Sequence, residues 1–154
     1  MKSTILVKNI EEKHVIQLVN ILNNDSMLLY ALGSKKNKIS EVTFKNHNKK
    51  WCESRNAEIF AIVLDDIAIG TISLSHQDLD RHTAQIGYWI GSKYWRNGYT
   101  SEAFFQVLNI ARKKGIKCVS ATIKRDNLPS KKVWEKCGAN IRLVDDRYNV
   151  SITL

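Results

Sequence analysis

One stretch decides the fold: Trp95-Arg-Asn-Gly-Tyr-Thr-Ser-Glu-Ala-Phe-Phe-Gln-Val-Leu-Asn-Ile-Ala111, which predicts a tight turn followed by a helix. Gly98 lacks a Cβ, so the turn tolerates a positive φ or the close approach of a ligand. Thr100 or Ser101 is predicted to be the N-cap of the helix. Apolar residues then recur at the spacing of one buried helical face: Phe104, Val107, Leu108 and Ala111.

The residues before the turn, 84–90, predict a strand. A strand, a glycine-bearing turn and a helix N-terminus together present free backbone N–H groups and a positive dipole end to a phosphate. Between Lys93 and Lys136 there are eleven Lys or Arg residues against three acidic ones, a net of +8 within a chain of net charge +9. An ordinary β–turn–α connection on a solvated face is the alternative, but charge so localised favours an anionic ligand.

Length and composition indicate one domain spanning residues 1–154, because 154 residues with 44% hydrophobic content can bury a sizeable core. No apolar run approaches the roughly 20 residues that span a bilayer, so no membrane partner is expected. Met1-Lys-Ser-Thr4 lacks the apolar region of a signal peptide, and the three cysteines are widely spaced. We therefore expect a cytoplasmic protein with reduced thiols. No Cys/His spacing resembles a zinc site, and no metal is expected.

The N-terminal half predicts a strand at residues 5–7 and two helices. Asn9 and Glu12 have the spacing of a capping box at the start of the first helix. The second helix is predicted to begin after the cap Ser40 and to run to about Trp51, which we expect to be buried.

The remaining pattern extends the strand before the turn to His82–Ile90 and predicts five further strands and a last helix around the central stretch. Cys118–Ile123 follows the central helix and should lie parallel to the preceding strand, because β–α–β crossovers connect parallel strands. The order is β–α–α–β–β–β–α–β–α–β–β, an α+β class with a mixed sheet flanked by helices. The other predicted segments are strands Ile59–Leu64, Ile67–Ser75, His82–Ile90, Ile141–Leu143 and Asn149–Leu154, a polar turn His76–Arg81 and a helix that has Pro129 near its start and runs to Cys137.

Two segments resemble the GNAT family of N-acetyltransferases, in particular its branch of ribosomal-protein alanine acetyltransferases. They are Ile86-Gly-Tyr-Trp-Ile-Gly-Ser-Lys-Tyr-Trp-Arg-Asn-Gly-Tyr-Thr-Ser-Glu-Ala103 and Asn127-Leu-Pro-Ser-Lys-Lys-Val-Trp-Glu-Lys-Cys-Gly138. The family's pyrophosphate motif, Gln/Arg-x-x-Gly-x-Gly/Ala, falls on Trp95, Gly98 and Thr100. Gly98 matches the motif, whereas Thr100 departs from it. The resemblance covers essentially the whole chain and implies a sheet with a central splay.

The resemblance also implies acetyl-CoA as the acetyl donor, with no metal. Its pantetheine arm would lie in the splay, between the strand that ends with Tyr88, Trp89 and Ile90 and the strand 119–123. Asn127 would hydrogen-bond this arm near Ser130. The pyrophosphate would bind the backbone N–H groups of Arg96, Asn97, Gly98, Tyr99, Thr100 and Ser101. The basic side chains that could meet the phosphates are Lys93, Arg96, Lys131 and Lys132.

The chain departs from its relatives at two positions that would carry proton transfer. Gln85 stands where relatives often have a glutamate base, and Trp134 stands where they often have a tyrosine that protonates the leaving thiolate. Ser130 and Tyr88 remain as candidate proton donors. Alternatively, no specialised base is needed and the amine loses its proton through water. The candidate bases that could act through such a water are His76, Asp78, Asp80 and His82.

These observations predict an acetyl-CoA-dependent N-acetyltransferase that acts on a primary amine by direct attack on the thioester. The amine could belong to a protein N-terminus, an amino sugar, a polyamine or an antibiotic. Residues 27–39 are lysine-rich and are predicted to be irregular, either as a mobile loop or as a wall of the acceptor site. A homodimer is a further possible assembly.

Two competing functions remain open. A basic module could bind RNA or the ribosome surface by stacking Tyr94, Trp95 and Tyr99 on bases, although a small-ligand motif already accounts for these aromatics. The chain could also be a CoA-binding protein that has lost catalysis, which Gln85 and Trp134 keep open.

Overall fold

The computed structural model describes residues 4–34 and 38–154, and these form seven strands and five α-helices. None of the helices in these residues is long and apolar enough to cross a membrane. The elements are β1 Ile5–Asn9, α1 Glu12–Asn24, α2 Ser26–Ala31, α3 Glu41–Arg55, β2 Glu58–Leu64, β3 Ile67–Asp78, β4 Thr83–Ile90, α4 Tyr99–Lys113, β5 Cys118–Lys124, α5 Leu128–Lys136, β6 Asn140–Val144 and β7 Arg147–Thr153.

The strands form a single mixed sheet in the order β1-β2-β3-β4-β5-β7-β6. Every neighbouring pair is antiparallel except β4 and β5, which are parallel as predicted. This parallel pairing covers only Thr83–Gln85 against Cys118–Ser120. Beyond it, β4 stays paired with β3 as far as Ile90, and β5 stays paired with β7 as far as Lys124. The two central strands therefore splay apart, which confirms the predicted α+β fold with a mixed, splayed sheet.

Helices cover the sheet on both faces and bury two apolar clusters. The larger cluster lies beneath α4 and α5, where Phe104, Val107 and Trp134 are fully buried. The smaller one lies beneath α1 and α3 and includes Leu18 and Phe44. Burying one such side chain stabilises the fold by about 1.5–3 kcal/mol. Trp51 is only half-buried, contrary to the prediction that it joins the core.

The starts of two helices differ from the predictions. Helix α4 begins at Tyr99 with Gly98 as its N-cap, rather than Thr100 or Ser101, because Gly98 adopts φ 78° and its carbonyl accepts the first helical hydrogen bond, from Glu102. Helix α1 has Glu11 as its N-cap, not Asn9, because Asn9 is held in β1 opposite Phe60.

Two segments predicted to be irregular are ordered. Residues 27–31 of the predicted loop 27–39 belong to α2, because the Asp25 side chain caps this helix and Leu28 is buried. Residues 35–37 of that loop lie outside the described residues. The predicted turn 76–81 also begins too early, since β3 continues to Asp78 and pairs there with Thr83. A register shift lies between Ser75 and Asp78, and it absorbs the positive φ of His76.

Candidate functional site

The turn between β4 and α4 presents a row of free backbone N–H groups. Arg96 and Gly98 adopt positive φ angles of 66° and 78°. In the described part of the chain, no protein acceptor takes a hydrogen bond from the backbone N–H groups between Arg96 and Ser101. The Asn97 side chain braces the turn by donating to the carbonyls of Tyr94 and Trp95, both at 3.1 Å. Free N–H groups at a helix N-terminus bind anions, so this turn is suited to a phosphate.

The splay between β4 and β5 opens toward this turn. β4 and β5 pair with each other only as far as Gln85 and Ser120. Beyond these residues, the edges of the two strands that face each other are unpaired. Such edges can pair with the amides of an extended ligand. Tyr88, Trp89 and Ile90, predicted to bind the cofactor, all lie on this free part of β4.

One polar cluster lies on the α5 side of the splay. The Tyr88 hydroxyl is hydrogen-bonded to Ser130 Oγ at 2.6 Å, so the structure brings these two predicted residues together. The rings of Tyr88 and Trp134 each pack edge-on against Phe104. Burial raises the pKa of Tyr88 to about 12, although hydrogen bonds with Ser130 and Trp134 act in the opposite direction. The phenol therefore keeps its proton at neutral pH, and it is a weak acid.

Asn127 lies at the same end of the splay and is the N-cap of α5. Its Oδ1 accepts the Ser130 backbone N–H at 3.3 Å. The side chain is exposed, and within the described residues its amide nitrogen donates to no protein group. This amide is therefore available to a ligand in the splay.

The four basic residues predicted near the phosphates differ in their surroundings. Lys131 is held by Glu135 at 3.4 Å and by the Tyr148 ring at 4.6 Å. Lys93 lies 5.0 Å from the centre of the Tyr94 ring. Arg96 and Lys132 are exposed, and in the part of the chain that the structure describes neither forms an ion pair. Arg96 and Lys132 are thus the two that can turn toward a phosphate without losing a contact.

The aromatic residues around the turn contact the core. Tyr94, Trp95 and Tyr99 pack against the larger apolar cluster. The Trp95 indole N–H also donates to the Ile90 carbonyl at 2.9 Å. These three rings are only partly buried, but their contacts with the core limit the ring surface that is open to stacking on bases.

Gln85 lies on the opposite face of the sheet from the Tyr88–Ser130 pair. It is exposed and pairs with Ser120 at the last rung before the splay. Gln85 and Tyr88 are three residues apart, about 10 Å along a strand. The structure therefore does not bring Gln85 together with the other candidate catalytic residues.

The four candidate bases cluster around the start of β4. His82 Nδ1 lies 3.1 Å from the Gly115 carbonyl, and Asp78 accepts the backbone N–H groups of Asp80 and Arg81, so these groups brace turns. His76 follows Ser75, the register partner of Gln85, which makes it the candidate nearest the splay.

An open cavity of about 590 Å³ lies beside these residues. It is lined by His76, Asp78 and Asp80 together with the C-terminal end of α3, and it includes no residue of the splay or of the Gly98 turn. Within residues 4–34 and 38–154, no group of three or more His, Cys, Asp or Glu side chains could hold a metal ion.

Asp25 supports the segment that leads into the turn, and the sequence did not predict this role. Its carboxylate accepts the Ser92 backbone N–H at 2.6 Å, the Ser92 hydroxyl at 2.7 Å and the Leu28 N–H at 3.1 Å. It thereby fixes the corner between α1 and α2 to the segment that enters the turn. The signal in the sequence was an aspartate two residues before a short apolar run, a typical N-cap.

Helix α2 lies near the open end of the splay. A Cβ on Gly33, just after the helix, would come within 3.9 Å of the Lys124 ammonium at the end of β5. Together with the Asp25 contact, this places the described part of the segment 27–39 beside both central strands. It leaves Met27, Tyr30 and Leu32 exposed.

Comparisons with known proteins identify the family and the fold. The sequence model described as the acetyltransferase (GNAT) domain matches residues 4–140. A search of the curated proteins found no match.

Solved structures resemble the chain in fold at low sequence identity. The microcin C7 self-immunity acetyltransferase MccE, in complex with acetyl-CoA and AMP, is 20% identical, with a TM-score of 0.80 over 97% of this chain and 92% of that one. RimJ of Mycobacterium smegmatis, in complex with CoA-disulfide, is 19% identical, with a TM-score of 0.83 over 97% and 81%. Spermidine N-acetyltransferase from Vibrio cholerae, in complex with CoA and spermine, is 12% identical, with a TM-score of 0.79 over 97% and 95%.

Proposed function

The chain belongs to the GNAT family of acetyltransferases, and from this premise we propose that it transfers an acetyl group from acetyl-CoA to a primary amine by direct attack on the thioester. One observation carries the proposal: the β4–β5 splay leads directly to the free N–H groups between Arg96 and Ser101. An extended arm that ends in a pyrophosphate fits these two features in this order.

The cofactor contacts follow from the elements around the splay. The pyrophosphate binds the N–H groups of the Gly98 turn, with Arg96 and Lys132 available as counter-charges. The pantetheine amides pair with those backbone groups of β4 between Gly87 and Ile90 that point away from β3. The Asn127 amide donates to the same arm. The backbone N–H near Trp89 or Ile90 then stabilises the oxyanion that forms when the thioester carbonyl is attacked.

The amine attacks from one face of the sheet, and the CoA thiolate leaves toward the other. Phe104, Tyr88 and Trp134 fill the α4–α5 side, so the amine approaches from the side of Gln85. An amide side chain cannot accept the amine's proton, and that proton leaves through water on the exposed face. The attacking amine must be neutral, and an alkyl ammonium has a pKa near 10, so the free fraction rises with pH.

The leaving thiolate meets the Ser130–Tyr88 pair. A thiol has a pKa of about 8.5, below the pKa of about 12 of the Tyr88 phenol, so Tyr88 is too weak an acid to protonate the thiolate fully. We propose that Ser130 donates a hydrogen bond to the developing thiolate and that Tyr88 orients the Ser130 hydroxyl. The sulfur then takes its proton from water.

The test combines binding with turnover. We expect acetyl-CoA to raise the melting temperature and a panel of primary amines to give amine-dependent release of free thiol. Stabilisation by acetyl-CoA without any thiol release would indicate a CoA-binding protein that has lost catalysis. Retention on nucleic acid that weakens with salt, without a response to acetyl-CoA, would instead support the basic binding module.

A further inference from the structure

The sheet has a polar face over β5, β7 and β6, opposite α4 and α5. Register partners in a sheet share a face, so the side chains form rows across the strands. The first row beside the splay is Gln85, Ser120, Ser151 and Asn140, and the second is Thr122, Asn149 and Arg142. The Thr122 hydroxyl approaches Asn149 Oδ1 at 3.5 Å across one of these rungs.

The polar rows alternate with apolar ones that form the core. Val119, Ile123 and Val150, on the other face of β5 and β7, are buried. The helices on the polar side, α1 and α3, pack against β2 and β3. Thr122, Asn149 and Arg142 are exposed. Polar and apolar side chains therefore alternate along these strands, as in a sheet with one buried face, and the exposed polar face lies beside the splay.

The next row consists of Lys124, Arg147 and Val144, and its two polar members are cations. Lys124 and Arg147 are register partners on adjacent antiparallel strands, and both are exposed. Like charges placed directly opposite each other destabilise a sheet. Strands β5, β6 and β7 contain no Asp or Glu. Asp146, in the turn between β6 and β7, instead lies 3.8 Å from Arg125. An anion between Lys124 and Arg147 would relieve this repulsion.

These rows of side chains lie next to the proposed position of the acceptor amine at the splay. The rung of Gln85 and Ser120 is the last before the splay, and Thr122 and Lys124 lie on the free part of β5. Thr122 and Arg147 are diagonal neighbours across the rung of Asn149, a separation of about 7–8 Å. A single sugar-sized molecule spans this distance.

On the basis of the proposed function, we infer that the acceptor is a small primary amine that bears hydroxyl groups and an anionic group, a phosphate or a carboxylate. Ser120, Thr122 and Asn149 offer donors and acceptors to the hydroxyls. Lys124 and Arg147 hold the anionic group through charge-assisted hydrogen bonds. A polyamine is disfavoured by the same two cations.

The test measures kcat/KM for acceptors that share a primary amine. Glucosamine 6-phosphate and muramic acid carry hydroxyls with a phosphate or a carboxylate. Glucosamine, spermidine and a short peptide with a free N-terminus serve as the comparison acceptors. We expect at least one anionic sugar to exceed glucosamine by roughly tenfold, and spermidine to be the poorest acceptor.

Two variants connect this preference to the proposed residues. Arg147→Gln and Lys124→Gln should each lower kcat/KM for the anionic sugar by roughly tenfold and reduce its advantage over glucosamine, with the KM for acetyl-CoA unchanged. Arg112→Gln is the matched control, because Arg112 is an exposed cation on α4, on the other side of the sheet. This variant should leave kcat/KM unchanged for every acceptor.

The inference would be overturned if spermidine or the peptide gave the highest kcat/KM, or if Arg147→Gln left the preference for anionic sugars intact. Failure of the proposed function looks different. In that case acetyl-CoA does not raise the melting temperature, or no amine of any class releases thiol. If spermidine or the peptide has the highest kcat/KM while acetyl-CoA binds normally, the acceptor class alone is rejected.

Discussion

The two faces of the sheet at the splay are built in different ways. On the α4–α5 side, Tyr88, Phe104 and Trp134 form a packed aromatic cluster with a hydrogen bond to Ser130. On the other side, Gln85 and Thr122 are exposed on a polar surface. The same two strands supply both faces, because successive side chains of a strand point to opposite sides.

This difference separates two kinds of constraint. A substitution in the packed cluster leaves a cavity or an unpaired polar group, which typically costs 2–5 kcal/mol for a large side chain. Exposed sheet positions away from such features usually change stability by less than about 0.5 kcal/mol. The face that we propose for the cofactor is therefore tied to folding, whereas the face that we propose for the acceptor can vary with little loss of stability.

The largest expected effect concerns the turn that supports the cofactor side. Gly98→Asp should abolish the rise in melting temperature that acetyl-CoA produces, with affinity falling more than about a hundredfold, since several charge-assisted hydrogen bonds of about 1.5–3 kcal/mol each are lost. The new carboxylate would also repel the pyrophosphate. The measurement is thermal unfolding with and without acetyl-CoA.

Gly115→Asp is the matched control for this variant. Gly115 has φ 84° and Gly98 has φ 78°, and a Cβ at either position would meet no atom within 4 Å. Both substitutions therefore introduce the same backbone strain, about 1–3 kcal/mol. Gly115 lies at the far end of α4, so its variant should keep the response to acetyl-CoA. If both variants respond to acetyl-CoA as the parent does, the turn does not bind the cofactor.

An intermediate effect distinguishes the two faces by kinetics. Ser130→Ala should lower kcat by roughly tenfold to a hundredfold, because the thiolate loses a hydrogen bond of about 1.5–3 kcal/mol, while the Kd of acetyl-CoA stays within about twofold. Tyr88→Phe should lower kcat less, because Ser130 remains. Thr122→Val, on the opposite face, should instead raise the acceptor KM. The measurement is steady-state kinetics with both substrates varied, and a change in acceptor KM alone for Ser130→Ala would contradict the assignment.

Sequence reasoning succeeded where the information is local. The strand, the Gly98 turn and the following helix are contiguous, and Pro129 indicated the start of α5 correctly. The cap of α4 was missed because the preference of Thr and Ser for N-caps is weaker than the demand of this turn for a positive φ at Gly98. Helix α2 was missed because its six residues are too short for a helical period to emerge beside a lysine-rich stretch.

The acceptor side depends on strand register, which composition does not reveal. Lys124 and Arg147 become neighbours only because β7 inserts between β5 and β6 in this alignment. A shift by one residue would exchange the polar rows with the buried Val150 and Ile152. The Asp25–Ser92 contact joins residues 67 positions apart, so no local pattern could predict it.

The smallest expected effect concerns Asp25, which links α2 on the acceptor side to the turn on the cofactor side. Burial raises the pKa of Asp25, but hydrogen bonds from Ser92 and Leu28 outweigh it and hold the pKa below its ordinary value of 3.8. The carboxylate thus stabilises the fold above its unfolded pKa, and this stabilisation is lost as the pH falls through the folded pKa. Asp25→Asn should cost about 1 kcal/mol at pH 7, since the side chain is only partly buried.

The pH dependence separates this role from simple packing. Thermal unfolding of the parent and of Asp25→Asn should differ at neutral pH. The difference should shrink as the pH falls below about 4, where the carboxyl of the unfolded parent begins to bind a proton, and it should be lost below the lower pKa of the folded state. Asp80→Asn, in the exposed loop after β3, is the control and should match the parent at both pH values. Because Asp25 connects α2 to the segment before the Gly98 turn, Asp25→Asn should also weaken the binding of acetyl-CoA and of the acceptor, by a few-fold each. A stability difference that persists unchanged into acid would mean that the charge of Asp25 does not maintain this link.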